Sequence, residues 1–302
     1  MVAESDKMIY TVTFNPAIDY VMYTGELTSG KTNRSNREEL YFGGKGINVS
    51  YVLSQLGAPT TALGFVAGFT GIALENAVNA WGIKADFIHL ANGVTRINVK
   101  LKGESETEIN AGGPNIDKTA LDKLWLKLDS IKSGDTLVLA GSVPSSLPSD
   151  IYENILKRLS QKGIRFVVDA TGKLLERTLK YEPFLVKPNI DELCETLNTE
   201  IKTESQLLES AKQLQIMGAQ NVLVSLGAEG AFLLSKDGNV YKKSACVGTA
   251  VNTVGCGDSM IAGFLAGFDK GADYALSLAV AAGGATAFKP WLANKEEILK
   301  LL

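Results

Sequence analysis

The sequence predicts an α/β protein in which a mainly parallel central sheet is flanked by helices and carries a small second β layer. Two observations lead there. Short, wholly apolar strand-like runs such as Thr136–Ala140 (TLVLA) alternate with helix-like stretches. That pattern belongs to parallel strands covered on both faces. Two stretches, at about 18–42 and 94–111, interrupt the rhythm with shorter, more polar strand-like runs. Their alternation, as in Thr95-Arg-Ile-Asn-Val-Lys-Leu101, suits a sheet with one wet face.

Taken in order, Ile9–Phe14 reads as a strand that stops at Asn15-Pro16, where proline has no N–H to donate to a ladder. Ile47–Leu56 carries apolar residues at helical spacing and ends at Gly57, a normal helix stop. Thr61–Val66 is strand-like, and Ile72–Trp81 and Asp117–Ile131 are helical. Thr136–Ala140 is a buried strand, followed by a helix over Ile151–Gln161 and a strand over Ile164–Asp169 (IRFVVD). Phe184–Lys187 makes a short strand, Ile190–Leu197 and Gln206–Met217 make helices, and Asn221–Leu226 a further strand. The interrupting stretches supply Val21–Tyr23, Glu38–Phe42, Thr95–Leu101 and Glu106–Asn110. They are expected to form a lid inserted into one domain spanning residues 1–302.

Composition removes several function classes. The chain has 302 residues, 45% of them hydrophobic and 21% charged, which is ample for a buried core and unlike a disordered chain. A net charge of −3 leaves no basic footprint for nucleic acid and no polybasic membrane anchor. The single histidine, His89, and the lack of any C-x-x-C pair remove most zinc sites and every scheme built on two histidines. Cys194, Cys246 and Cys256 suggest a reducing compartment, not a disulfide framework. The apolar run Ala275–Phe288 is broken by Gly283 and Gly284 and is shorter than the ~20 residues of a spanning helix. The polar N-terminal MVAESDKM does not resemble an export signal. A cytoplasmic protein without nucleic-acid or membrane partners is expected.

One tempting motif is a decoy. Gly25-Glu-Leu-Thr-Ser-Gly-Lys-Thr32 fits the P-loop pattern, yet Asn33-Arg-Ser-Asn-Arg-Glu-Glu39 follows, with no apolar face to dock the helix that pattern needs. Asn252-Thr-Val-Gly-Cys-Gly-Asp-Ser259 is stronger, because it opens a helix. Its glycines leave backbone amides free, and those amides with the helix dipole form an anion cradle. Asp258 in the first turn is either a helix cap or a base for a hydroxyl attacking a phosphoryl group held there. Tyr41-Phe-Gly-Gly-Lys-Gly-Ile-Asn48 is the second cluster: a lid hinge, or a site where Lys45 meets an anion and Asn48 meets hydroxyls. Asp19, after the first strand, forms an Asx turn or accepts two hydrogen bonds from a sugar diol. Gly141-Ser-Val-Pro144, Val186–Glu192 and Ser225–Gly230 are further turns at strand ends, and five turns on one sheet edge imply a site.

These motifs together resemble the ribokinase/pfkB family of carbohydrate kinases over nearly the whole chain. Gly43-Gly-Lys-Gly-Ile-Asn48 is similar to the family's N-terminal signature and Asn252-Thr-Val-Gly-Cys-Gly-Asp258 to its C-terminal D-T-x-G-A-G-D signature. Lys187-Pro-Asn-Ile-Asp-Glu192 resembles its N-x-x-E element, and Ser225-Leu-Gly-Ala-Glu-Gly230 its nucleotide-side turn. Asn15-Pro-Ala-Ile-Asp19 and Thr95–Leu101 lean towards its phosphosugar branch.

The resemblance implies a ribokinase-like fold with a β-sheet lid, ATP and Mg²⁺. It implies transfer to the 6-hydroxyl of fructose 1-phosphate, with tagatose 6-phosphate as the alternative acceptor. Asp258 would be the base, with the amides of Gly255, Cys256 and Gly257 on the transferring group. Lys187 would meet phosphates, Asn189 and Glu192 would reach Mg²⁺ through water, and Ser225, Gly227, Ala228, Glu229 and Gly230 would flank the nucleotide. Asp19, Gly43, Gly44, Asn48 and Ser142 would hold the acceptor, and Lys45, Arg96 and Lys31 its phosphate. An Arg96 salt bridge to Glu106 or Glu108 is the structural alternative. Asn252 departs from the signature's first Asp, and Cys256 from its Ala. A helix N-terminus favours a thiolate at Cys256, whereas a plain stand-in for alanine would be inert. A non-catalytic sugar- or nucleotide-binding regulator is the rival from another class, and a homodimer through the lid strands a further expectation. A dinucleotide oxidoreductase is excluded, since no strand leads into G-x-G-x-x-G.

Overall fold

The computed structural model describes residues 7–302. Most of the N-terminal segment judged not to be an export signal lies outside the described residues. The chain opens with the buried strand β1 (Ile9–Thr13), then forms β2 (Ala17–Thr24) and β3 (Ser35–Gly43) before helix α1 (Lys45–Gln55). Strand β4 (Thr60–Ala67) leads into α2 (Gly68–Ala80), followed by the short β5 (Lys84–Ala85) and β6 (Ile88–Leu90). Next come β7 (Arg96–Lys102), β8 (Glu106–Ile109), α3 (Lys118–Asp129), β9 (Thr136–Ala140), α4 (Ile151–Leu159) and β10 (Arg165–Asp169). Helix α5 (Gly172–Leu179), β11 (Leu185–Val186), α6 (Ile190–Leu197), α7 (Glu204–Ile216) and β12 (Asn221–Ser225) continue the alternation. It closes with an antiparallel hairpin, β13 (Ala231–Leu234) and β14 (Val240–Lys243), and three helices, α8 (Cys256–Gly267), α9 (Ala272–Ala287) and α10 (Lys295–Leu299).

The main sheet runs β14-β13-β12-β11-β10-β9-β1-β4-β5, with β6 also paired to β4. Every pairing from β12 across to β5 is parallel. Its strands bury both faces, so successive residues go to opposite cores. Leu137 and Val168 pack into one cluster with α3, α4 and α7, while Val138 and Val167 pack into the other with α1, α8 and α9. Helix starts are specified locally: Asp117 caps α3 by accepting from Ala120 N, and Thr203 with Gln206 forms a capping box on α7. No helix among the described residues is long and apolar enough to cross a membrane.

Strands β3-β2-β7-β8 form the second, four-stranded sheet, close to the predicted insertions. The predicted alternation is present, and the structure adds which way each face points. Asp19, Tyr23, Tyr41, Lys100 and Glu108 line a cavity, so the polar face looks towards the loops that carry Asn252 and Trp291. Leu40, Ile97 and Ile109 lie on the other face and are exposed. The main chain crosses between the sheets at four places: Phe14–Pro16, Gly44, the segment ending at Thr95, and residues 110–117 between β8 and α3. The P-loop look-alike falls in the exposed turn between β2 and β3, with no helix after it. The sequence reading missed β5, β6, the β13–β14 hairpin, α5, α9 and α10, and it began α2 four residues late.

Candidate active site

Strand order reverses at β1, which has β9 on one side and β4 on the other. A crevice therefore opens at the carboxyl ends of these strands, where open α/β sheets bind ligands. A cavity of about 920 Å³ lies there, lined by Thr13, Gly44, Lys45, Arg96, Ser142 and Asp169 among others. A second, of about 660 Å³, lies between the small sheet and the loops carrying Asn252 and Trp291. Gly44 belongs to both walls. Its φ of 134° suits glycine alone, and a Cβ there would lie 2.6 Å from Thr13 Cγ2.

Asp258 sits in the first turn of α8 and is buried. Gly255 makes the preceding turn at φ 82°. Asn48 Nδ2 donates to Asp258 Oδ2 at 2.8 Å and fixes the carboxylate. Burial and the nearby negative charge of Asp169 push Asp258 up to about 6, against the opposing pull of Asn48, Lys45 and Lys187. Asn48, assigned from the sequence to substrate hydroxyls, uses one of its two N–H groups on this carboxylate and also lines the second cavity.

Asp169, at the end of β10, is the residue that sequence reasoning overlooked. It is buried and pairs with Lys45 Nζ at 2.8 Å and Lys187 Nζ at 3.3 Å. Burial alone would raise its pKa, but the two ammonium groups hold it below the usual carboxylate range. Lys187 is buried as well, and its Nζ lies 3.0 Å from where a Cβ on Gly257 would be, so it covers the start of α8. Burial, then Asp258, push the Cys256 thiol up to about 11. Of the two readings for Cys256, this favours the inert stand-in for alanine over the acidified thiol.

The remaining candidates divide by position. Arg96 lines the first cavity and donates from Nε to Asn15 O at 3.2 Å. The alternative partners do not reach it: Glu106 pairs with Lys102 and Glu108 with Lys100. Ser142 lines the first cavity, while Asp19 and Gly43 line the second. Asn189 and Glu192 form a capping box on α6, which uses one Glu192 oxygen and leaves the other free at the first cavity. Ser225 is joined to this element, its N–H donating to Pro188 O at 3.1 Å, and Gly227, Ala228, Glu229 and Gly230 follow as a turn. That turn lies beyond both cavity walls. Lys31 lies apart, exposed in the turn between β2 and β3 and lining neither cavity. Asn252 donates to Pro290 O at 2.8 Å and accepts from Val254 N. The first of these is a bond that an aspartate could not donate. Among the described residues, no cluster of three or more His, Cys, Asp or Glu is arranged to hold a metal.

Amides and cations around a buried carboxylate, beside cavities lined by hydrogen-bonding groups, define an enzyme that moves a phosphoryl group onto a hydroxyl. The model of the pfkB family carbohydrate kinases matches residues 12–295, and the chain belongs to that family of ATP-dependent kinases. Over 297 residues it is 42% identical to the 1-phosphofructokinase of Bacillus subtilis, covering 98% of this chain and 97% of that one. The structure of phosphofructokinase-2 from Escherichia coli in complex with substrates and products matches with a TM-score of 0.90 at 26% identity, over 97% of each chain. Arabidopsis thaliana ribokinase, at 20% identity, shares the fold with a TM-score of 0.81 over 98% of each chain.

Proposed function

We propose that this chain uses ATP to phosphorylate fructose 1-phosphate at its 6-hydroxyl, giving fructose 1,6-bisphosphate and ADP. The observation that carries this is the buried Asp258, held by Asn48 at the start of α8 with its pKa pushed up to about 6. Such a carboxylate is ionised at neutral pH yet basic enough to take a hydroxyl proton. A binding regulator would have no use for it. The relatedness to the Bacillus subtilis enzyme supports the choice of acceptor.

In this reading the acceptor oxygen bonds to the γ-phosphorus as the bond to the bridging oxygen of ADP breaks, and Asp258 takes the hydroxyl proton. The amides of Gly255 and Gly257, with Lys187, offset charge on the transferring group, whereas the Cys256 N–H, also expected there, donates to Thr253 O at 3.3 Å. Asp19, Gly43, Gly44 and Ser142 hold the sugar, while Arg96 and Lys45 hold its phosphate. The nucleotide lies along Asn189 and the Ser225–Gly230 turn. Mg²⁺ would be held mainly by ATP oxygens and reached through water by the free Glu192 oxygen, a donor set that suits this ion. Bound there, it would neutralise phosphate charge. ATP turnover should be fastest with fructose 1-phosphate. Faster turnover with tagatose 6-phosphate would change the acceptor, and turnover independent of any sugar phosphate would overturn the mechanism.

The cationic pocket gives a sharper check. Arg96→Lys should raise KM for fructose 1-phosphate by a factor equivalent to about 1.5–3 kcal/mol, the worth of a charged hydrogen bond. KM for ATP should stay put. If both constants rise together, or only the melting temperature falls, Arg96 is structural.

We also take residues 1–302 as one catalytic domain in which the small sheet, at about 18–42 and 94–111, acts as a lid that excludes water. Hydrogen exchange there should slow when sugar phosphate and an ATP analogue bind together. Protection confined to residues 220–265 would refute a lid. The outward apolar face with Leu40, Ile97 and Ile109 supports a homodimer through the lid strands, which would cover it. Light scattering should then give twice the chain mass for wild type and a monomer for Leu40→Glu. A monomeric wild type rules the dimer out. The three free cysteines support a reducing, cytoplasmic setting, testable by cell fractionation.

A further inference from the structure

The inner face of the small sheet holds a polar group that the reaction as described leaves unused. Asp19 on β2 and Asn98 on the parallel strand β7 stand side by side in register. Asn98 Nδ2 donates to Asp19 Oδ1 at 2.9 Å. Lys100 Nζ lies 3.7 Å from Asp19 Oδ2 and 3.3 Å from Glu108, so both Asp19 oxygens are engaged from the β7 side. Asp19, Lys100 and Glu108 all line the second cavity.

Asn98 itself is only 7% exposed, and its Oδ1 has no hydrogen-bond partner. Turning the amide over gives no relief. It would aim Oδ1 at a carboxylate oxygen and strand Nδ2 instead. A buried amide with an unmet acceptor is a poor choice for stability, since an apolar side chain of the same shape would leave nothing unpaired there. The N–H bond to Asp19 is what the asparagine supplies and a leucine would not.

We infer that Asn98 is a positioning residue for acceptor recognition, acting through Asp19. Its N–H occupies one lone pair of the carboxylate while Lys100 attracts the other oxygen. The carboxylate plane is thereby fixed, with its remaining lone pairs open to the cavity. A carboxylate held in this way favours a sugar phosphate with two neighbouring hydroxyls over one lacking either of them. The inference rests on the reading of Asp19 as an acceptor contact.

Kinetics and thermal melts of the full chain test it with Asn98→Leu, Asn98→Ala and Asp19→Asn. Asn98→Leu should raise KM for fructose 1-phosphate about tenfold, the order expected for one lost oriented hydrogen bond. Its kcat, KM for ATP and melting temperature should not fall or rise appreciably. A deoxy analogue lacking one ring hydroxyl should be penalised by wild type and much less by the variant. Should Asn98→Leu not fold, Asn98→Ala must show the same split between the two KM values. A lower melting temperature with unchanged acceptor KM makes Asn98 structural and overturns the inference. If Asp19→Asn raises acceptor KM but neither Asn98 variant does, the inference alone fails. If Asp19→Asn has no effect on it, the placement of Asp19 fails and the inference with it.

Discussion

Asp258→Asn is expected to lower kcat by about 10²–10⁴-fold, the usual worth of a positioned acid–base group. Affinity for the sugar phosphate should change little, because the lost function acts mainly in the transition state. The asparagine keeps the shape and can still meet Asn48, so the site should stay assembled. In wild type, kcat/KM should fall as the pH drops through about 6, where Asp258 gains its proton and can no longer accept one. In Asp258→Asn that acid limb should disappear. A variant retaining more than a tenth of wild-type kcat would remove Asp258 from the chemistry.

Asp169→Asn should have the largest effect on stability. It removes the one carboxylate that both Lys45 and Lys187 contact, leaving the buried Lys187 without its counter-charge. Breaking a buried ion pair from one side costs about 3–5 kcal/mol, a loss that urea denaturation would register. The same substitution removes a negative charge that raises the Asp258 pKa, so the acid limb of kcat/KM should move to lower pH. Unchanged stability together with an unmoved limb would show that Asp169 neither anchors the lysines nor acts on the base.

The parallel core was legible because its strands are buried on both faces and read as unbroken apolar runs. Asp258, Asn48, Lys45 and Lys187 were legible because each lies in a glycine- or proline-marked turn. Asp169 was not. It ends the run IRFVVD with no glycine beside it, and its meaning comes from two lysines far away in sequence, 124 residues in the case of Lys45. The available signal was a lone carboxylate at the carboxyl end of a buried strand, where such sheets bind ligands. Of the two readings that the sequence left for Cys256, only the tertiary surroundings decide. Position on a helix argues for an acid thiol, whereas burial and a neighbouring carboxylate, both tertiary properties, reverse the sign. The direction of the small sheet's apolar face also escaped the sequence, since alternation fixes that there are two faces but not which one looks inward.

The crossings between the two sheets bear on how this protein tolerates change. Asn15, Gly44 and Arg96 stand at or beside three of the four crossings and also line the first cavity, and the Arg96 Nε bond to Asn15 O ties two of them together. Only Gly44 separates the end of β3 from the start of α1. At these three places the two sheets are joined with little slack, and the coupling rods are parts of the binding wall, whereas the fourth crossing, residues 110–117, is longer and lines neither cavity. Length added at the exposed turn between β2 and β3 would hang harmlessly outside. One residue added beside Gly44 would shift the register of α1 and carry Lys45 and Asn48 out of place with it. Loops far from these three crossings are free to drift, while the three are geared to the site and must keep their length.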